Sequence, residues 1–184
     1  MDVTFVTSNP GKVVEARRIF GEFGLSVRWC RRELPEPQSD RLEDVVRAKL
    51  RAASRPGRST VVEDSGLFVP SLTGFPGVYS RYVYDTIGLR GVLRLVAGRP
   101  RQAEFRAVAG YQRGRTVLVS VGRVEGTLAA RPRGNGGFGY DPVFIPVGES
   151  RTFAEMSPVE KDALSHRGRA MRALARRVAG IERG

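Results

Sequence analysis

With 184 residues, of which 41% are apolar and 27% charged, the chain has the size and composition of one globular domain, and we predict a single domain over 1–184. It has no run of 18 apolar residues, no basic leader with a cleavage site and only one cysteine, Cys30. We therefore expect a cytoplasmic protein without membrane segment, disulfide or zinc finger. The net charge of +12 favours polyanionic partners, but it does not distinguish nucleic acid, anionic membrane and phosphorylated small molecules.

In the first half of the chain, strands are predicted to alternate with helices. The apolar residues of the first helix recur at helical spacing until Gly24, and the third strand ends at Asp64-Ser65-Gly66. The predicted elements are a strand at 2–7, a helix at 13–23, a strand at 25–30, a helix at 42–55 and a strand at 60–63. This alternation is typical of an α/β fold.

The second half predicts an antiparallel pair of strands and a C-terminal helical region. Arg113-Gly114 supplies the turn between the two strands, and the apolar stripe of the last helix extends to Ile181. The predicted elements are a loop at 70–79, a helix at 87–96, strands at 103–112 and 116–124, a glycine-rich loop at 134–139 and a helical region that starts at 157–160. Together the two halves predict a mixed α/β sheet covered by helices.

Lysine is rare in this chain, with three lysines against 28 arginines. Each of the three, Lys12, Lys49 and Lys161, falls in a stretch that also has the features of a phosphate or metal motif. A site that needs a compact, rotatable ammonium cannot readily take a planar guanidinium. Lys49 lies in the middle of the apolar stripe of its helix, so we expect it to face a cleft, to reach past the helix end or to be paired. Survival by chance is the alternative for each lysine.

A polar turn precedes the first helix, with the sequence Thr7-Ser8-Asn9-Pro10-Gly11-Lys12. The first N–H groups of a helix are unpaired and its dipole is positive at that end, so the turn can bind phosphate, with Lys12 as a point charge. The spacing is not that of a Walker A loop. Ordinary capping by Ser8 or Asn9 is the alternative.

Acidic residues are predicted at the end of the third strand and on a rigid loop. Glu63 and Asp64 end the strand, and Glu36 lies between two prolines. Carboxylates beside a polyphosphate suggest Mg²⁺, which proteins hold by one or two acids and substrate oxygens. The alternative is that the strand acids cap the following turn and that Glu36 is exposed to solvent.

The glycine-rich loop changes abruptly to Phe138, Tyr140 and Asp141. Glycines allow the backbone to approach a ligand, an aromatic face can stack on a base, and a carboxylate can accept hydrogen bonds from base N–H groups. A plain turn with core aromatic residues is the alternative.

A dense cluster of donors follows in the C-terminal helical region. Lys161 precedes the single histidine, His166, by five residues, and Arg167 is next to it. A ligand rich in acceptors suits such a cluster, although a lone histidine is more often structural.

These stretches together resemble the inosine triphosphate pyrophosphatase family, also described as Ham1-like, whose members hydrolyse noncanonical purine nucleoside triphosphates. They occur in the family's order from residue 7 to residue 167. The matching stretches are 7–12, 63–67, 75–80 with the sequence Phe-Pro-Gly-Val-Tyr-Ser, 136–142, 153–156 with Phe-Ala-Glu-Met, and 160–167.

The resemblance implies hydrolysis of a nucleoside triphosphate to the monophosphate and pyrophosphate, with Mg²⁺ and usually in a homodimer. It also implies an elongated α/β fold, in which a mixed central sheet is flanked by helices and a nucleotide-binding cleft lies between two lobes. The implied substrate-binding residues are Thr7, Ser8, Asn9, Pro10, Gly11, Lys12, Lys49, Ser65, Arg81, Phe138, Gly139, Tyr140, Asp141, Lys161, His166 and Arg167.

In that resemblance the stretch 7–12 holds the triphosphate and the loop residues contact the base. Glu36 and Asp64 hold the metal, and Asp64 also accepts the proton of the attacking water. Lys49 lies close to the position of a helix lysine in the family. Arg81 stands where some members carry lysine, which keeps the charge but changes its geometry.

Selectivity is expected to depend on the 6-position of the purine. Donors that face a 6-oxo group are left unpaired when adenine enters, so we expect ITP, dITP and XTP to be cleaved well and ATP poorly, with Arg167 and His166 as the candidate donors. One alternative is a nucleotide pyrophosphatase of different base preference. Another is a basic nucleic-acid-binding protein, which explains the charge but not the acidic residues. We expect neither a stable nucleic-acid complex nor a membrane partner.

Overall fold

The computed structural model describes residues 2–181, and within them five α-helices accompany a mixed sheet of seven strands. The strands are β1 (Asp2–Val6), β2 (Ser26–Cys30), β3 (Thr60–Phe68), β4 (Pro76–Gly77), β5 (Gln102–Arg113), β6 (Thr116–Leu128) and β7 (Phe144–Pro146). The helices are α1 (Pro10–Gly21), α2 (Leu42–Ala53), α3 (Ser80–Leu95), α4 (Pro158–Leu164) and α5 (His166–Ile181). In this part of the chain no helix is both long and apolar enough to cross a membrane.

The sheet combines a parallel and an antiparallel part. Its strand order is β2-β1-β3-β5-β6-β7, and the short β4 pairs with the far end of β3. The pairs of β1 with β2 and with β3 are parallel, whereas β3, β5, β6 and β7 run antiparallel to their successive neighbours. The mixed α/β sheet predicted from the sequence is confirmed.

Helices cover both faces of the sheet, and β5 contributes to all three apolar cores. Its residues Ala107, Ala109 and Tyr111 pack with α1 and α5, while Val108 packs on the opposite face with α2. Phe105, nearer the start of β5, belongs to a third core with α3 and the segments that flank β7. Residues a few positions apart on β5 therefore belong to different cores, which brings the elements around them close together.

The predicted end of the third strand is wrong. The strand continues through Phe68, because β5 pairs with it along all nine residues from Thr60 to Phe68. Asp64-Ser65-Gly66 thus lies inside the strand, and a Cβ at Gly66 would collide with the backbone carbonyl of Gly77 in β4. The acids lie along a strand rather than beyond its carboxyl end.

Two helix predictions also need correction. The helix expected at 87–96 begins at Ser80 and is interrupted at Gly88, whose φ of 62° is non-helical; its first half lacks an apolar stripe that sequence reasoning could detect. The C-terminal helical region breaks at Ser165 into α4 and α5. The predicted stripe of α5 is buried except for Ile181, which is 47% exposed.

Candidate active site

A cavity of about 530 Å³ lies where the β1–α1 turn, β3, the start of α3, the glycine-rich loop and the start of α5 meet. Most of the residues predicted from the sequence line it. They are Thr7, Ser8, Asn9, Lys12, Glu36, Lys49, Asp64, Ser65, Arg81, Phe138, Gly139, Tyr140, Asp141, His166 and Arg167. Pro10, Gly11 and Lys161 do not line the cavity: Lys161 is buried, whereas Pro10 is exposed. The structure therefore brings distant stretches of the chain to one place.

The turn before α1 combines capping with an open positive end. Asn9 is the N-cap, and its side-chain oxygen accepts hydrogen bonds from the N–H groups of Gly11 (2.9 Å) and Lys12 (3.3 Å). Thr7 Oγ1 in turn accepts from the N–H of Asn9 (3.1 Å). The capping interpretation is confirmed for Asn9. Because its side chain already accepts from the N–H groups of Gly11 and Lys12, an anion at this end would be bound by the helix dipole and the Lys12 ammonium.

Glu63 is a buried anion held between two cations. Lys12 Nζ lies 2.6 Å from one carboxylate oxygen, and Arg167 Nε donates to the other (3.0 Å). Burial alone would raise the pKa of Glu63, but Arg167 and Lys12 outweigh it and lower the pKa to about 2. Glu63 is thus ionised at any working pH and orients these cations rather than exchanging protons.

Lys49 occupies the position between the other two acids. Its Nζ lies 2.6 Å from Glu36 Oε1 and donates to Asp64 Oδ1 at 2.9 Å. Of the three possibilities for a lysine on an apolar stripe, the structure shows a buried, paired ammonium beside a cavity. Burial raises the pKa of Asp64 and outweighs the opposing effect of Lys49, so Asp64 is a better proton acceptor than an exposed aspartate.

Glu36 and Asp64 are chemically suited to a divalent cation such as Mg²⁺. No group of three or more histidine, cysteine, aspartate or glutamate side chains gathers as a metal site within 2–181. The two carboxylates nevertheless converge on a single cation, the Lys49 ammonium. Because Mg²⁺ often takes one or two carboxylates and completes its shell with water and phosphate oxygens, two acids suffice.

A second buried network joins α1 to α4 and α5 through Glu15, which sequence reasoning missed. Glu15 accepts hydrogen bonds from Lys161 Nζ (2.8 Å) and Arg167 Nη1 (2.7 Å), and Lys161 also donates to Asp141 (2.6 Å). The sequence did contain one indication of its role: Glu15 follows Lys12 by three residues and therefore lies on the same face of α1. Attraction to Arg167 and Lys161 lowers the pKa of Glu15 despite the opposing effect of burial. The network fixes the glycine-rich loop to the helices.

Phe138 separates Lys161 from the cavity. Its ring lies over Lys161 Nζ (4.7 Å to the centroid) and over the Arg167 guanidinium (5.0 Å), and its N–H donates to Asp141 Oδ2 (2.7 Å). On the side of α1, a Cβ at Gly11 would come within 2.8 Å of the ring. Phe138 is therefore packed between a glycine and two cations, and Lys161 acts behind it.

The start of α3 contributes lining residues that the sequence analysis did not assign. Tyr79, Tyr82 and Tyr84 line the cavity there together with Arg81, which is largely exposed and paired with Asp85. The close spacing of these three tyrosines could have indicated a shared site, but the helix was predicted to begin only at residue 87. Arg81 is thus close to the cavity but held on its rim.

His166 is a buried histidine whose neutral ring is favoured by its surroundings. It is only 2% exposed and its ring stacks on Phe105. Burial, reinforced by repulsion from Arg167, lowers its pKa well below 6.5. Its contribution to stability is then fully present above pH 6.5 and is lost as the pH falls toward the pKa of the folded state, because the unfolded chain takes up the proton first.

This state can be observed directly, because the chain has one histidine. In an NMR titration of the folded protein we expect the imidazole signals of His166 to remain those of the neutral ring through pH 6.5 and below. Urea-unfolded protein is the matched reference and should titrate near pH 6.5. A midpoint near 6.5 in the folded state would show that the ring is not desolvated.

Fold and cavity together define a class of protein: an α/β protein whose cavity places buried cations beside a pair of acids, an arrangement suited to a polyanion and a divalent metal. The chain belongs to the Ham1 family, whose pattern matches residues 3–177. It is 50% identical over 177 residues to a dITP/XTP pyrophosphatase of Thermococcus kodakarensis, which covers 95% of this chain and 96% of the relative. A second dITP/XTP pyrophosphatase, from Pyrococcus horikoshii, is 47% identical over 175 residues, and the match covers 94% of each chain. The solved Ham1 protein of Staphylococcus aureus superimposes with a TM-score of 0.81 at 28% identity, covering 96% of this chain and 98% of that one.

Proposed function

We propose that this protein hydrolyses the noncanonical purine nucleotides dITP, XTP and ITP to the monophosphate and pyrophosphate, and so removes them from the nucleotide pool. The observation that carries the proposal is the convergence of Glu36 and Asp64 on one cation, at 2.6 and 2.9 Å, beside the positive end of α1. The relatives from Thermococcus and Pyrococcus, similar along nearly their whole length, bear the name of this activity.

The triphosphate is assigned to the cationic side of the cavity. The turn 7–12 presents hydroxyl groups, a helix N-terminus and Lys12, and Lys49 and Arg81 are further cations that line the cavity. Charge develops on the departing pyrophosphate, so cations fixed in advance stabilise the transition state more than the ground state. Lys12 and Lys49 are suited to this task because buried carboxylates already hold both.

Asp64 is assigned to the attacking water. The water oxygen forms a bond to the α-phosphorus, the bond from that phosphorus to the pyrophosphate oxygen breaks, and the water proton passes to Asp64. Glu36 and Asp64 would hold Mg²⁺, which neutralises phosphate charge when it is bound. The pKa of Asp64, raised by burial, suits a carboxylate that accepts a proton.

The base is assigned to the wall formed by Phe138 to Asp141 and the start of α5. Phe138 lines this wall, and Arg167 and His166 line the cavity as the donors that distinguish a 6-oxo from a 6-amino group. Lys161 supports this wall from behind, since it holds Asp141 and lies under the Phe138 ring.

The remaining parts of the proposal concern shape, assembly and location. The third core lies apart from the two cores around α1, α2 and α5, which supports an elongated, single-domain molecule of two lobes with the cavity as the cleft between them. A homodimer located in the cytoplasm, without nucleic-acid or membrane partners, completes the proposal.

One assay tests the activity. Incubation with Mg²⁺ should release pyrophosphate, not orthophosphate, from dITP, XTP and ITP, and a chelator should abolish the release. The kcat/KM for dITP should exceed that for dATP at least about a hundredfold, because donors facing a 6-amino group stay unpaired. Orthophosphate as the product, or equal cleavage of dATP, would contradict the proposal.

A further inference from the structure

The imidazole of His166 lies flat against an aromatic ring from the neighbouring sheet. Phe105 of β5 stacks on it with ring centroids 4.4 Å apart and an interplanar angle of 9°. Both side chains line the cavity. The Phe105 ring is itself packed against Phe144 (4.6 Å) and Phe153 (6.2 Å), so it rests on a rigid aromatic cluster.

Within 2–181, no hydrogen bond at Nδ1 fixes the plane of the His166 ring. Its Nδ1 is buried and has no hydrogen-bond partner among the residues that the structure describes. The backbone of His166, by contrast, is placed closely, since a Cβ at Gly122 of β6 would collide with the His166 carbonyl. The contact with Gly122 fixes the position of the His166 backbone, and the stack on Phe105 fixes the orientation of the imidazole plane.

We propose that Phe105 is a positioning residue for base recognition, because its ring holds the imidazole of His166 in the orientation that discriminates 6-oxo from 6-amino purines. This inference rests on the proposed function. A hydrogen bond weakens steeply as its angle departs from linearity, so a ring free to turn discriminates less between the two bases. Phe105 has no polar side-chain atom, so it cannot itself exchange a hydrogen bond with the base.

The test compares Phe105→Leu with Phe105→Tyr and a matched control, Val92→Ala. Leucine removes the stack and keeps apolar volume, whereas tyrosine keeps the ring. Val92 of α3 belongs to the same core as Phe105 and is fully buried, but it has no ring and does not line the cavity, so its variant reports the loss of packing alone. The readouts are kcat/KM for dITP and dATP, and the NMR signals of the single histidine.

For Phe105→Leu we expect the dITP-to-dATP ratio of kcat/KM to fall about tenfold, and the His166 ring protons to lose the ring-current shift of the stacked phenyl group. Phe105→Tyr should keep both near their original values, and Val92→Ala should change neither. Any loss of folded protein cancels in the ratio, because both substrates are measured on the same sample.

The two hypotheses fail differently. If the unmodified protein releases no pyrophosphate from dITP, the proposed function is overturned and this inference with it. If the unmodified protein is active and selective but Phe105→Leu keeps the ratio, or if Val92→Ala lowers it equally, the role of Phe105 is overturned and the function stands.

Discussion

Replacing Asp64 with asparagine should lower the turnover of dITP by roughly two to four orders of magnitude, the range that a general base contributes. The amide cannot accept the proton of the attacking water, and Lys49 loses one of its two carboxylate partners. Affinity for the nucleotide should change little, because the turn 7–12 and the base wall remain intact. Measurement of kcat by pyrophosphate release, together with the Kd of a nonhydrolysable dITP analogue, separates the two effects.

Asp44→Asn is the matched control for this variant. Asp44 is an exposed acid on α2, the helix that carries Lys49, and it does not line the cavity. It should keep full turnover. Near-normal turnover in Asp64→Asn would remove Asp64 from the mechanism and leave Glu36 as the remaining acid beside Lys49.

Replacing Arg167 with methionine should destabilise the protein by about 3 kcal/mol or more, since one partner of buried ion pairs is removed. Glu63 and Glu15 would each lose a guanidinium contact in a place where water cannot replace it. Attraction to those two acids raises the pKa of Arg167 even though burial lowers it, so the cation is strongly favoured in the folded state. For a chain of this length the corresponding fall in Tm is roughly 6–12 °C.

Arg169→Met is the control for the Arg167 variant. Arg169 lies two residues further along α5, is exposed, and donates to the carbonyl of Arg123. Its replacement should change Tm by little, and calorimetry of both variants in one buffer makes the comparison. Equal melting temperatures for the two would show that the network around Glu63 and Glu15 contributes no net stability.

Features that depend on a short stretch of chain could be predicted from the sequence. The N-cap of α1 follows from Asn-Pro-Gly, the hairpin of β5 and β6 from two β-prone runs around Arg113-Gly114, and the burial of Lys49 from its place on an apolar stripe. In each case the neighbours that decide the structure lie within a few residues of the feature itself.

Features that depend on distant partners could not be predicted. Glu15 binds Lys161, 146 positions away in the sequence, and nothing near Glu15 indicates that partner. The length of β3 is set by its pairing with β5, and the start of α3 by the Ser80 hydroxyl, which accepts a hydrogen bond from the Leu67 N–H (2.8 Å). Tertiary pairing overrode the local pattern at both places.

The contact between Gly11 and Phe138 couples the phosphate side of the cavity to the base side. Gly11 belongs to the turn assigned to the phosphates, and Phe138 belongs to the wall assigned to the base. The Phe138 ring nevertheless lies only 2.8 Å from where a Cβ atom at position 11 would be. A change that widens one end therefore displaces the other. Any side chain larger than hydrogen at position 11 would displace the Phe138 ring, and with it the wall assigned to the base.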